Sequence, residues 1–231
     1  MKASDHRLAA REALAGNWVN AVLVALVAAI LGGSIASGSF NFQLNEEITK
    51  ALPEILKPVL AIWIGIASVL GWLQFIVGGT IELGHCRYVL KLHDRQEANI
   101  RDLFSQFSRL LQGFLLRLLT TIFIVLWTLL FVIPGIVATF RYAMAPFILY
   151  EHPEMSAMDA IRASKKMMDG HKWELFCLNI SFIGWAILSV LTFGIGFLFL
   201  NPYMSQAYAS FYRNLQAQTA SVESGNPYTE I

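Results

Sequence analysis

Four long runs without a charge limit what this chain can fold into more than any other feature. Between Glu12 and Glu46 lie 33 uncharged residues, between Lys57 and Glu82 24, between Arg117 and Arg141 23, and between Glu174 and Arg213 38. A helix needs about 20 apolar residues to cross roughly 30 Å of hydrocarbon, so every run is long enough to span a bilayer. Composition agrees, with 56% hydrophobic and 14% charged residues, against about 45–50% apolar and about 25% charged in soluble domains. Too little polar material remains to coat a water-soluble globule. The expected fold class is all-α: a polytopic helical membrane protein, with residues 1–231 forming one integral membrane domain.

Two of the runs read as hairpins. The last, at about 1.5 Å per residue, would make a helix far longer than one crossing, and Gly194 and Gly196 interrupt it where a turn fits. The third carries Pro134-Gly135 at its centre, a pair that removes a helix donor and tolerates reversal; a proline kink in one straight helix is the alternative. The expected spans are residues 17–38, 59–81, 112–133, 136–150, 173–192 and 197–215, with a cytoplasmic helix over 1–16 and a flexible tail over 219–231. Six crossings put both termini in the cytoplasm. Only Lys50 and Lys57 then lie outside and Arg117 and Arg141 fall within spans, leaving 13 of the 17 basic residues inside, as the positive-inside rule requires. Four crossings would put Arg162, Lys165, Lys166 and Lys172 on the outer face. The N-terminal apolar stretch is too long for a cleavable signal and reads as a retained first helix.

Three connecting segments have the pattern of amphipathic helices lying on the membrane surface. One opens at Asn99, with Ile100, Leu103, Phe104, Phe107, Leu110 and Leu111 at helical spacing and Arg101, Asp102, Gln106 and Arg109 on the other side. A second runs from Ser156 to Asp169, capped by Ser156 and Asp159 and closed by Gly170. There Met158, Ile161 and Met168 are expected to face lipid, while Arg162, Lys165 and Lys166, with Lys172 beyond, reach lipid phosphates. The third, Ser4 to Ala15, has only Leu8 and Leu14 as large apolar residues. Each segment reads either as an anionic-lipid or partner-binding element or as a plain connector at headgroup level.

Catalytic patterns are missing: there is no Gly-x-Ser-x-Gly, no Walker loop, no His-Glu-x-x-His and no Cys-x-x-Cys. Glu82 and His85 share a helical face, but di-metal bundle sites need two such pairs, so neither metal nor cofactor is expected. Cys86 and Cys177 read as unpaired small hydrophobes. A net charge of +1 gives no case for nucleic-acid binding. Charges inside spans are the best functional pointers, because each is costly unless paired or hydrated. Arg117 sits early in the third span, near the cytoplasmic side. Arg141 lies near mid-membrane on the fourth leg, with Glu82 or the uncharged Asn179, Ser181, Asn201 and Gln206 as candidate partners. Structural pairing and a ligand role both stay open for it. Ala25, Ala29 and Gly33 repeat at four-residue spacing, which lets helices approach closely. Gly78-Gly79 and Pro202 are candidate bends.

A family resemblance rests on a series that begins Trp127, Ile133-Pro134-Gly135-Ile136, Tyr142, Pro153, Ala160-Ile161, Ser164-Lys165, Met167-Met168 and Gly170-His171-Lys172. It continues through Phe176, Ser181-Phe182-Ile183-Gly184-Trp185, Thr192, Gly194-Ile195-Gly196, Pro202-Tyr203 and Phe211-Tyr212. With Ala10-Arg11-Glu12-Ala13-Leu14 and Gly16-Asn17-Trp18 at the start, the chain resembles an uncharacterised family of bacterial polytopic membrane proteins, a domain-of-unknown-function family common in Gram-positive bacteria. The layout is also distantly similar to membrane domains attached to some glycerophosphodiester phosphodiesterases. The resemblance implies a bacterial plasma-membrane location and no catalytic residues. The family often has a lysine after the Pro-Gly bend, where this chain has Val137-Ala138. The expected function is non-enzymatic: binding of membrane lipid or of a protein partner in envelope processes. The alternative is a small-solute or peptide transporter or export component, motivated by Arg141 and the broken helices.

Overall fold

The computed structural model describes residues 3–32 and 57–223. Among these the chain is helical without strands: α1 (Ala3–Leu14), α2 (Trp18–Gly32), α3 (Lys57–His93), α4 (Leu110–Leu130), α5 (Val132–Tyr142), α6 (Ala145–Glu151), α7 (Ala157–Met167), α8 (Lys172–Leu191) and α9 (Gly196–Glu223). Two short 3-10 turns, Ile100–Phe104 and Phe107–Arg109, lead into α4. Gly33, the rest of the connection over 33–56 and the end of the 219–231 tail lie outside the described residues.

Among the described residues three helical stretches are long and apolar enough to cross a membrane: Ile100–Leu130, Val132–Glu151 and Lys172–Leu191. A fourth candidate is the pair α1 and α2, if the two, bent by 105°, count as one span. The chain therefore has the makings of a membrane protein. Fewer stretches meet this criterion than the six crossings expected from the sequence, partly because α9 carries Asn201, Ser205, Gln206 and Ser210 and is more polar than the others.

Both hairpins form. The first turns earlier than the sequence pattern predicts. The helix ends at Leu130, Phe131 is extended (φ −159, ψ 145), and α5 begins at Val132, so Pro134-Gly135 lies inside the first turn of the return leg. There the missing proline N–H costs nothing, since the first N–H groups of a helix have no intrahelical acceptor. A Cβ on Gly135 would stand 2.2 Å from Thr128 Oγ1 and 2.8 Å from its Cα. Seven residues along one continuous helix are separated by about 10.5 Å, so this contact rules out the kinked straight helix. The second hairpin reverses where the sequence places it, through Phe193 (φ 52) and Gly194 (φ 86).

Burial divides the molecule in two. The hairpin arms carry apolar side chains outward, from Leu129 at 85% exposed to Phe193 at 100%. Such a surface is untenable in water and natural in lipid. At the other end a protein-like core holds Leu14, Ile81, Leu83, Leu90, Leu103, Met144, Leu149, Leu175 and Tyr212, all nearly inaccessible. Small residues bring its helices together. A Cβ on Gly79 would lie 2.1 Å from the Gly113 carbonyl oxygen, so the backbones of α3 and α4 touch there. The helix α3 runs on through Gly78-Gly79 and α9 through Pro202, so neither expected bend ends its helix. Ala25 and Ala29 are buried, as close helix approach requires.

The interfacial segments differ from expectation in how they face. Asn99 opens a 3-10 turn rather than an α-helix, because the Asp102 carboxylate accepts from the Asn99 N–H (2.9 Å) and is drawn inward to Lys91 (2.9 Å) and Arg87 (2.9 Å) on α3. Asp102 and Gln106 are therefore buried, whereas Ile100, Phe104, Phe107 and Leu111 are exposed. In α7 the predicted cap is present, the Asp159 N–H donating to Ser156 Oγ at 3.2 Å. Ile161 and Met168, expected to face lipid, are buried in the core instead, because α7 packs against α4 and α6.

Candidate functional site

The structure joins two groups of residues that the sequence offered separately. Arg141, from the last turn of α5, and Arg162, Lys165 and Lys166, from α7, line one cavity of about 320 Å³ together with Asp169. The link between the two elements is a hydrogen bond from Ser164 Oγ to the Arg141 carbonyl (2.8 Å). Ser164 is fully buried, so it fixes α7 against α5 with its cationic edge turned to Arg141. Ten residues separate Arg141 from the reversal at Phe131, or about 15 Å of helix, roughly half the hydrocarbon thickness. An ionised group at that distance is tolerated where a water-filled recess reaches it.

Four cations thus face one carboxylate. Asp169 is committed elsewhere, accepting from Lys172 Nζ at 2.9 Å. That hydrogen bond and charge hold its carboxyl below the usual carboxylate range. Arg162 has a loose partner in Asp159 at 3.5 Å, with 74% of its own side chain exposed. Lys165 and Lys166 have no ion-pair partner among the described residues, and the Arg141 Nε is buried without a hydrogen-bond acceptor. The recess therefore has unspent donors and a net positive charge, which is what a phosphate or carboxylate needs.

The other sequence candidates lie apart from it. Lys172 touches the recess only through Asp169. Arg117 stands with its guanidinium 5.8 Å from the Phe75 ring centre, and its charge acts on Glu82; neither meets Arg141. Asn179 donates to the Leu175 carbonyl and accepts from Tyr208 Oη (2.8 Å), a helix-to-helix clasp between α8 and α9. Ser181 donates to the Leu178 carbonyl. Asn201 is exposed, and buried Gln206 has an Nε2 without a partner. None of the partners expected for Arg141 reaches it.

A second polar constellation escaped the sequence reading. Arg213 donates to Asp94 and Glu151, while Glu151 also accepts from Tyr212 Oη and Gln216 Nε2. Its members come from α9, α6 and the end of α3, up to 119 positions apart, so no local spacing announces it. Every donor there is matched, which marks it as a tie between elements rather than a ligand site.

No curated protein and no solved structure matches the chain. A family model described as protein of unknown function (DUF975) matches residues 1–140 and 128–219. The match covers both hairpins, α7 and the recess between them, and on that extent the chain belongs to the DUF975 family.

Proposed function

We propose that this chain is a non-enzymatic, six-crossing protein of a bacterial plasma membrane, with both termini cytoplasmic, that holds the headgroups of anionic lipids in envelope processes. The reading is carried by one observation: an arginine borne on an apolar hairpin leg and three cations of an amphipathic helix line a single recess. Cations near an anionic leaflet are each worth about 1 kcal/mol, and a recess fixes them in one place. Two unpaired lysines and an unsatisfied guanidinium nitrogen leave donors for phosphate oxygens.

The test is the lipid that co-purifies from a bacterial membrane in mild detergent. The wild-type protein is expected to retain phosphatidylglycerol over phosphatidylcholine. The triple variant Arg162→Glu/Lys165→Glu/Lys166→Glu is expected to lose that preference, and unchanged retention would count against the reading. If the same recess instead served a soluble anion, phosphate flux into liposomes would be abolished by Arg141→Ala, with lipid retention unaltered.

A further inference from the structure

We propose a second lipid site: a groove between α1 and the α8–α9 hairpin that takes one acyl chain of an anionic phospholipid, with the headgroup on Arg7 and Arg11. The groove has a volume of about 530 Å³, within the range of roughly 300–1,000 Å³ found for small-ligand sites. Its lining includes Trp18, Trp185 and Leu188 together with Arg7, Arg11 and Tyr203. The lining combines two chemistries. Trp185 and Leu188 belong to the exposed apolar arm of the hairpin, a surface that only hydrocarbon satisfies. Arg7 and Arg11 come from α1, which turns 105° away from α2, and the charges of both act on the Tyr203 phenol.

Charge complementarity selects the occupant. Among the described residues no carboxylate lines the groove, and the Arg7 Nε is buried without a hydrogen-bond partner. A zwitterionic lipid would bring a choline cation against two arginines, and a neutral one would leave them without an anion. A phosphatidylglycerol-type lipid gives the guanidiniums a phosphate and the tryptophan-lined walls a chain. The site lies on different helices from the cationic recess and does not depend on it.

The experiment counts phosphatidylglycerol and phosphatidylcholine molecules bound to the full-length protein by native mass spectrometry. It is run in wild-type protein and again in the Arg162→Glu/Lys165→Glu/Lys166→Glu background, which removes the recess. In the background lacking the recess Arg11→Glu is expected to lower bound phosphatidylglycerol at least fivefold. In wild-type protein it is expected to remove the groove's share and leave that of the recess, and phosphatidylcholine is expected to stay unchanged in both. Leu188→Trp, which fills the groove from an exposed position, is expected to lower bound phosphatidylglycerol to a similar extent in each. Phe199→Trp serves if Leu188→Trp does not elute as a folded protein. Phosphatidylglycerol binding unchanged by both the charge and the filling variant would overturn the proposal, as would equal retention of the two lipids by the wild type, which is the behaviour of an annular belt.

Discussion

Replacing Lys165 and Lys166 together by glutamine removes two charges from the recess while keeping both side chains polar and most of their length. Neither lysine has an ion-pair partner among the described residues, so each is expected to contribute its full share, about 1 kcal/mol, to attraction for an anionic headgroup. The pair then contributes about 2 kcal/mol, which at about 1.4 kcal/mol per tenfold corresponds to about a thirtyfold loss of phosphatidylglycerol affinity. Arg162 provides the internal comparison. All three side chains are exposed, but Arg162 already faces Asp159 at 3.5 Å, which offsets part of its charge, and Arg162→Gln is expected to cost less than threefold. The assay is titration of detergent-solubilised protein with phosphatidylglycerol, followed by native mass spectrometry. Raising salt from 0.1 to 1 M shortens the screening length from about 10 to about 3 Å and should shrink the difference between wild type and the double variant. If Arg162→Gln proved as damaging as the double lysine change, or the double variant bound as well as wild type, the recess geometry would not be what attracts lipid.

Three further outcomes follow from packing and charge. Gly79→Ala is expected to lower thermal stability by about 1–3 kcal/mol, since its Cβ would meet the Gly113 backbone at 2.1 Å; Gly184→Ala, with nothing within 4 Å, should be neutral or gain up to about 1 kcal/mol. A Gly79→Ala protein as stable as wild type would refute the α3–α4 contact. Arg213→Met leaves Asp94 and Glu151 without their shared cation and should cost about 1.5–3 kcal/mol in a melting experiment, with Glu151→Gln in the same chain recovering part of it. Burial lowers the His93 imidazole below its usual 6.5, Asp94 opposing and Arg213 reinforcing the shift. The unfolded chain then takes up a proton at a pH where the folded one does not, so stability falls as pH drops through 6.5. The melting temperature of His93→Asn should show a shallower slope between about pH 7.5 and 5.5.

What the sequence determined by itself is local or periodic. Uncharged runs fix which segments prefer lipid, because the free energy of burying a helix in hydrocarbon is summed over its own residues. The Ser156 cap and the Gly194 corner were legible for the same reason: cap and turn chemistry acts within three or four residues. Pro134-Gly135 announced a reversal but not its position, since proline is tolerated at Phe131, before it, and in the first helical turn alike. Facing was the property that periodicity left undecided. Asp102 and Ile161 each sit on the face a helical wheel assigns them, yet Asp102 is buried and Ile161 turns from lipid to core, because Lys91 and Arg87 on one side and α4 and α6 on the other claim them. Arg141 is the clearest case. Its cost in an apolar leg was visible from its neighbours, but its companions Arg162, Lys165 and Lys166 lie more than twenty positions away and reach it only because Ser164 anchors α7 to α5. Tertiary packing decided that, as it decided the Arg213 network, because contacts between distant segments depend on helix placement that no local spacing encodes.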